Sequence, residues 1–375
     1  MIEYRKQFPL TDQMIYLDAA SSVPLPVFVL EAATSFYKDL SENGEEERQV
    51  LEERTEEVCR LFANLINADS EEVAMIRNTT EGLNIAANGL PLEPGDNVVI
   101  TDLEHLNNVY PWLNLHERKD IEVRILKSRD GRLFLDDLNS LVDDRTRALS
   151  LSFVTLGGLK IDLKSFGEYC KAHNIYFIVD GIQGVGRTSL DVKESFIDIM
   201  SCGGHKGLMS GRGIGCLFID KRILKDVKVT YAGPPIEFRH DPVDTAFKQS
   251  AGAKKFNAGS ANYAGICALH ASLNFLTKVG IRSIEKYNLD LGKLLVEGLQ
   301  KIDGVKILVP WKLEESSGII SFSTYDNIKV AKGLEKQKIK ISLRGNAVRV
   351  SPHFYNTQEE MIRTVEVVSE LLSKG

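Results

Sequence analysis

The chain has 375 residues, with 46 lysines and arginines against 52 aspartates and glutamates, a formal net charge of −6. This length suits a large domain with a smaller companion, and 43% hydrophobic with 26% charged content is ordinary for a folded globular chain. The acidic balance argues against a nucleic-acid partner, and no stretch approaches the roughly 18 apolar residues of a membrane span, so a cytoplasmic protein without either partner is expected.

In chain order, a strand is predicted over 72–77, then a helix over 79–88 that opens on capping-type residues. A Pro-Gly-Asp turn leads into a strand over 97–101. Short apolar runs at 122–126, 148–154 and 175–179 have the composition of covered strands, and a helix over 164–173 separates the last two. Strands at 197–201 and 215–220 close the series. Strands separated by helices predict an α/β fold with a mostly parallel seven-stranded sheet wrapped on both faces.

From about Asn262 the texture changes. Amphipathic helices are predicted over 265–279 and 284–301, then a strand over 318–323, a short helix over 330–337, a strand over 348–351 and a last helix over 357–373. This predicts a smaller α+β domain over 262–375 beside a large domain over 14–261, with 1–13 packing on the smaller one.

The chemistry concentrates in the middle of the chain. Asp180 ends the 175–179 strand, where a parallel sheet opens its ligand crevice. Lys206 lies in Cys202-Gly-Gly-His-Lys206-Gly207, whose small residues admit close approach of backbone and ligand. A lysine so placed, with an acid at the mouth of a buried strand, is what pyridoxal phosphate requires. The lysine forms the Schiff base, and the acid keeps the pyridine nitrogen protonated.

Gln183 follows Asp180 closely enough to donate to the cofactor's phenolic oxygen. Thr79 and Thr80 offer hydroxyls and free N–H groups to a phosphate at the positive end of a helix. His105 follows a third strand end and suits a ring stacked on the pyridine. Taken singly, these residues have plainer readings as a solvated lysine, helix caps and a surface histidine; together they select the cofactor.

Gly211, Gly213 and Gly215 imitate a nucleotide fingerprint but precede a strand, so they are read as a turn. Asn84 and Asn88 are read as helix-face residues. Five cysteines without a CxxC pair, and seven histidines without an HExxH, give little support to disulfides or a metal centre.

These residues resemble the class V aminotransferase family, the fold-type I pyridoxal phosphate group that includes cysteine desulfurases, kynureninases and isopenicillin-epimerase-like enzymes. The resemblance runs through Tyr16-Leu-Asp-Ala-Ala-Ser21, Asn78-Thr-Thr-Glu-Gly-Leu-Asn84, Glu104-His105 with Pro111-Trp112, and Val179-Asp-Gly-Ile-Gln183. It continues through Gly203-Gly-His-Lys206, Phe256-Asn-Ala-Gly-Ser-Ala-Asn262 and Val348-Arg-Val-Ser-Pro-His-Phe-Tyr-Asn-Thr357.

The resemblance implies Lys206 as the Schiff-base residue, Asp180 on the pyridine nitrogen, Gln183 on the phenolic oxygen and His105 over the ring. Phosphate contacts are implied for Thr79, Thr80 and His205, and for Ser260 of the partner subunit in a homodimer. Arg349 is implied for the substrate carboxylate; Arg344 is either a second anion contact or a surface arginine. Many relatives carry serine where this chain has Gly203, which removes one phosphate contact. The segment 152–156 lacks the histidine or asparagine often found there.

The implied substrate is an amino acid or keto acid. Amino-group transfer ranks first, with a cysteine-independent C–S lyase, another β-eliminating enzyme or an epimerase as alternatives. A desulfurase ranks lower, because 340–349 is short and carries no cysteine, and none follows Cys267. Cys202 is read as buried at a strand end. The non-enzymatic alternative is a regulatory protein that binds the cofactor without turnover; the intact set of Lys206, Asp180, His105 and Arg349 argues against it.

Overall fold

The computed structural model describes residues 1–44, 48–233 and 247–373. In chain order it contains β1 (Ile15–Tyr16), α1 (Val27–Asn43), α2 (Arg48–Ile66), β2 (Val73–Ile76), α3 (Thr79–Gly89), β3 (Asn97–Thr101), α4 (Tyr110–Lys119) and β4 (Glu122–Leu126). Next come β5 (Thr146–Ser152), α5 (Leu163–Ala172), β6 (Tyr176–Asp180), β7 (Ile199–Gly203), β8 (Gly215–Ile219), α6 (Tyr263–Val279) and α7 (Ile281–Leu299). The chain ends with β9 (Lys306–Ile307), β10 (Ile320–Ser323), α8 (Asn327–Lys336), β11 (Ile339–Lys340), β12 (Ser342–Arg344), β13 (Ala347–Val350) and α9 (Gln358–Ser373).

The expected seven-stranded sheet forms in the order β2-β8-β7-β6-β5-β3-β4. Only β8 runs against its neighbours. Its inner strands are apolar on both faces because alternate residues enter opposite layers, whereas the edge strand β4 leaves Glu122 and Ile125 exposed. Val99, Leu149, Phe177, Val179 and Met200 meet Val58 and Phe62 of α2, Phe166 of α5, and Leu269 and Leu273 of α6. Val98, Ile100, Ala148, Ile178 and Ile199 meet Leu83 and Ala86 of α3 and Trp112 and Leu115 of α4. Helix α6, which follows the change of texture at 262, thus packs into the same apolar layer as the large sheet.

A four-stranded antiparallel sheet, β12-β13-β10-β9, is covered by α7, α8 and α9 through Leu291, Leu295, Val330, Leu334, Met361 and Val368. The N-terminal segment is tied to this half. Strand β1 pairs in parallel with β11, Asp18 bridges to Ser351, and Arg5 reaches the Tyr355 carbonyl and the Glu360 carboxylate. Residues from both ends of the chain therefore arrive at the carboxyl edge of the large sheet. Among the described residues no single helix is long and apolar enough to cross a bilayer.

Candidate active site

The carboxyl ends of β3, β5, β6 and β7 and the first turn of α3 converge on a cavity of about 890 Å³, within the usual range for a small-molecule site. Lys206, Asp180, His105, Thr79, Thr80, His205, Arg344 and Arg349 all line it.

Asp180 is the last residue of β6 and is 3% exposed. Its Oδ1 accepts from the Ile182 N–H at 3.0 Å. Burial pushes its pKa up to about 6, against the pull of that hydrogen bond and of Lys206.

Lys206, 9% exposed, is driven the other way: burial lowers its pKa to about 8, Asp180 opposes this, and Arg349 and Arg344 add to it. Lys206 and Asp180 both line the cavity and are not joined by an ion pair. The lysine loop is fixed at its backbone. The His205 carbonyl accepts from the Val23 N–H at 3.1 Å, and the Gly204 N–H donates to Ile214 at 2.8 Å. The His205 ring is held neutral: burial and the Lys206 charge lower its pKa to about 4. The glycine run behind the loop is a turn, as read from the sequence, with Gly211 and Gly213 at φ of +88° and +79°.

The first turn of α3 is locked to β7. Asn78 caps it by accepting from the Glu81 N–H at 3.0 Å. The Gly203 N–H donates to Thr79 Oγ1 at 3.0 Å, and Ser201 Oγ donates to the Thr79 carbonyl at 2.8 Å. The first N–H groups of a helix have no intrahelical acceptor, so this end is suited to an anion. A Cβ at Gly203 would sit 3.1 Å from Thr79 Oγ1, so a serine there would crowd the same threonine.

His105 accepts from the Asn107 N–H at its Nδ1, 3.1 Å away, which leaves the proton of the neutral ring on Nε2. Burial, with Lys206, Arg344 and Arg349, lowers its pKa. Beside it, Glu104 ties this loop to the end of β5 by accepting from the Ser152 N–H and hydroxyl at 3.0 and 2.6 Å.

Two expected residues stand away from the cavity wall. Gln183 is buried, and its amide nitrogen donates to the Ala20 carbonyl at 3.0 Å instead of lining the space. Its Oε1 has no partner among the described residues. Ser260 is exposed on the rim of a separate pocket that shares Arg77 and Glu81 with the main one.

Asn84, read as a helix-face residue, does line the cavity. It lies one turn beyond Thr80, on the same face, and donates to the Thr80 carbonyl at 2.8 Å. Arg77, Arg212 and Ser21 also line it and were not singled out as site residues. Ser21 closes the run Tyr16-Leu-Asp-Ala-Ala-Ser21, but its partners are more than three hundred residues distant in sequence.

Those partners are the arginines. Arg349, 1% exposed, donates to Ser342 Oγ at 3.2 Å, the Leu156 carbonyl at 3.4 Å and Ser21 Oγ at 2.9 Å. Asp18 lies 3.8 Å from the same guanidinium. Arg344 reaches Ser21 Oγ at 2.8 Å.

The donor set matches pyridoxal phosphate: a buried amine, a buried carboxyl, a capped helix end and an arginine held for a carboxylate. It includes no thiol. All five cysteines are buried and none lines the cavity, and burial pushes the Cys202 thiol up.

A family model described as Aminotransferase class-V matches residues 15–364. The chain is 29% identical to a probable cysteine desulfurase of Methanothermobacter thermautotrophicus over all of this chain and 98% of that one. It is 32% identical to a cysteine desulfurase of Pectobacterium carotovorum over 85% of this chain and 81% of that one. Among solved structures, the apo cysteine desulfurase from Thermococcus onnurineus NA1 matches with a TM-score of 0.92 at 26% identity, covering 100% of this chain and 98% of that one.

Proposed function

The chain belongs to the aminotransferase class-V family, whose cofactor is pyridoxal phosphate; from that premise we propose that it cleaves the Cβ–S bond of an amino acid without using a protein thiol. Pyridoxal phosphate, when bound, supplies the electron sink that acidifies the substrate's Cα–H bond.

Lys206 is the base. With its pKa lowered to about 8, a usable fraction of its amine is free near neutral pH to take the Cα proton at Nζ. Asp180, ionised above about pH 6, holds the proton on the ring nitrogen. His105 would cover the ring of the bound cofactor, and Thr79, Thr80 and His205, which line the same cavity, would hold its phosphate. Arg349 clamps the substrate carboxylate and so fixes which bond to Cα stands perpendicular to the ring. As the C–S bond breaks, its electron pair leaves with sulfur, and the Lys206 ammonium returns a proton to the departing thiolate.

The observation that carries this reading is the cavity wall, which has acid, base and guanidinium groups but no cysteine. The relatives' names, cysteine desulfurases, turn the reading toward sulfur. Amino-group transfer, first on the sequence, is the second reading. Lys206 Nζ has no ion-pair partner among the described residues, so it can carry the proton to a second carbon.

The test is turnover of cystine, cysteine and S-substituted cysteines by the cofactor-loaded protein, followed by intact-mass measurement. Elimination yields pyruvate, ammonia and a free thiol, persulfide or sulfide, with the protein mass unchanged. A persulfide on any of the five cysteines would overturn the thiol-free route. A keto acid that retains its side chain would transfer the assignment to the second reading.

A further inference from the structure

The hairpin β12–β13 presents two guanidiniums to the cavity, of which Arg349 has an ion-pair partner, Asp18 at 3.8 Å, and Arg344 has none among the described residues. Ser342 stands opposite Arg349, and Arg344 opposite Ala347. Opposed residues of an antiparallel pair share a face, so both arginines project toward the cavity while Val348 enters the core on the other side. Ala347 is small and leaves Arg344 room to lie across the hairpin.

Both guanidiniums end on one neutral acceptor, Ser21 Oγ, at 2.8 and 2.9 Å. The nearest carboxylate, Asp18, stands 3.8 Å from Arg349, and Arg344 has no ion-pair partner among the described residues. Two like charges sharing a hydroxyl are costly unless anions are brought to them. The arginines also differ in burial and in how many acceptors hold them. Arg349 is buried and held by three acceptors, which suits the α-carboxylate common to all amino acids. Arg344 is exposed and held only by Ser21, which suits a group whose position varies with the side chain.

We propose that the substrate is an amino acid bearing a second anionic group on its side chain, with the α-carboxylate on Arg349, the side-chain anion on Arg344, and Ser21 setting the distance between them. This rests on the amino-acid reading above but not on the bond that breaks.

The test uses the cofactor-loaded protein and isosteric pairs: aspartate against asparagine, glutamate against glutamine, and S-carboxymethylcysteine against S-carboxamidomethylcysteine. Dissociation constants come from the change in cofactor absorbance. The dianionic member should bind at least about tenfold tighter, as expected for one charge-assisted hydrogen-bonded contact. Arg344→Gln should bring that ratio toward one, and Arg344→Lys should retain part of it. Circular dichroism establishes that these variants, altered at an exposed hairpin position, remain folded.

A wild-type ratio near one overturns the proposal. So does an Arg344→Gln variant that weakens both members of each pair equally, because both arginines would then clamp one carboxylate. If the ratio holds but none of cystine, cysteine and S-carboxymethylcysteine releases pyruvate, the elimination reading falls and this one stands.

Discussion

Lys206 gains its reactivity from the depth at which the chain holds it. Because burial lowers its pKa to about 8 from an ordinary 10.5, the nucleophilic free amine forms about two pH units earlier than on a surface lysine. Attachment of added pyridoxal phosphate to the cofactor-free protein, trapped with borohydride, should therefore rise with pH and level off above about 8. The label should map to Lys206. Asp180 raises the lysine pKa, so Asp180→Asn should move that inflection down while weakening cofactor affinity. An upward move, or a midpoint near the ordinary lysine value, would contradict the electrostatics of the site. Lys206, Asp180 and His105 were legible in the sequence because each follows a strand in a recognisable run. Ser21 was not, since its role exists only where residues 323 and 328 positions away fold back onto it.

At the scale of elements, the cofactor cradle depends on how closely α3 lies against β7, and Gly82 sets that approach. A Cβ at Gly82 would collide with the side chain of Ser201, whose hydroxyl is already committed to the Thr79 carbonyl. Helix propensity alone favours Gly82→Ala by about 1 kcal/mol, whereas overpacking at a filled contact costs about 1–3 kcal/mol. The collision should win. Gly82→Ala is expected to lower the denaturant midpoint of the cofactor-free protein and to weaken pyridoxal phosphate binding, since Thr79 and Thr80 move with the helix. A higher midpoint with unchanged affinity would show that α3 is free to slide.

The large-sheet strands were readable to within a few residues because two-sided burial writes continuous apolar runs. Strands β1 and β11, of two residues each, left no such trace, because their pairing comes from tertiary docking of the two chain ends, and β12 is a three-residue arm of a hairpin too short to write a periodic run.

At the scale of the whole molecule, the cavity draws on distant parts of one chain: Ser21 near the start, the sheet ends in the middle and the β12–β13 hairpin near the finish. Ser260, expected from the partner subunit, does not line this chain's own cavity. It is exposed beside the main cavity, sharing Arg77 and Glu81 with it. Just after His105, Leu106, Tyr110 and Leu113 recur at helical spacing and are 61%, 63% and 41% exposed. Apolar groups at that density call for cover. A two-fold homodimer would supply it while carrying Ser260 of the partner subunit to the phosphate end of the cavity. Such a contact would repeat in both directions, as an isologous interface requires.

Complementation follows from that geometry. In such a homodimer, Lys206→Ala would remove the proposed base from its own site, and Ser260→Asp would place a negative charge against the phosphate of the neighbouring one. Each homodimer should be inactive. When the two are mixed, unfolded and refolded with cofactor, half the dimers should be hybrids with one intact site, restoring about a quarter of wild-type activity. Sedimentation of the active species as a monomer, or no recovery from a mixture whose hybrids are confirmed by native mass measurement, would place Ser260 outside the site.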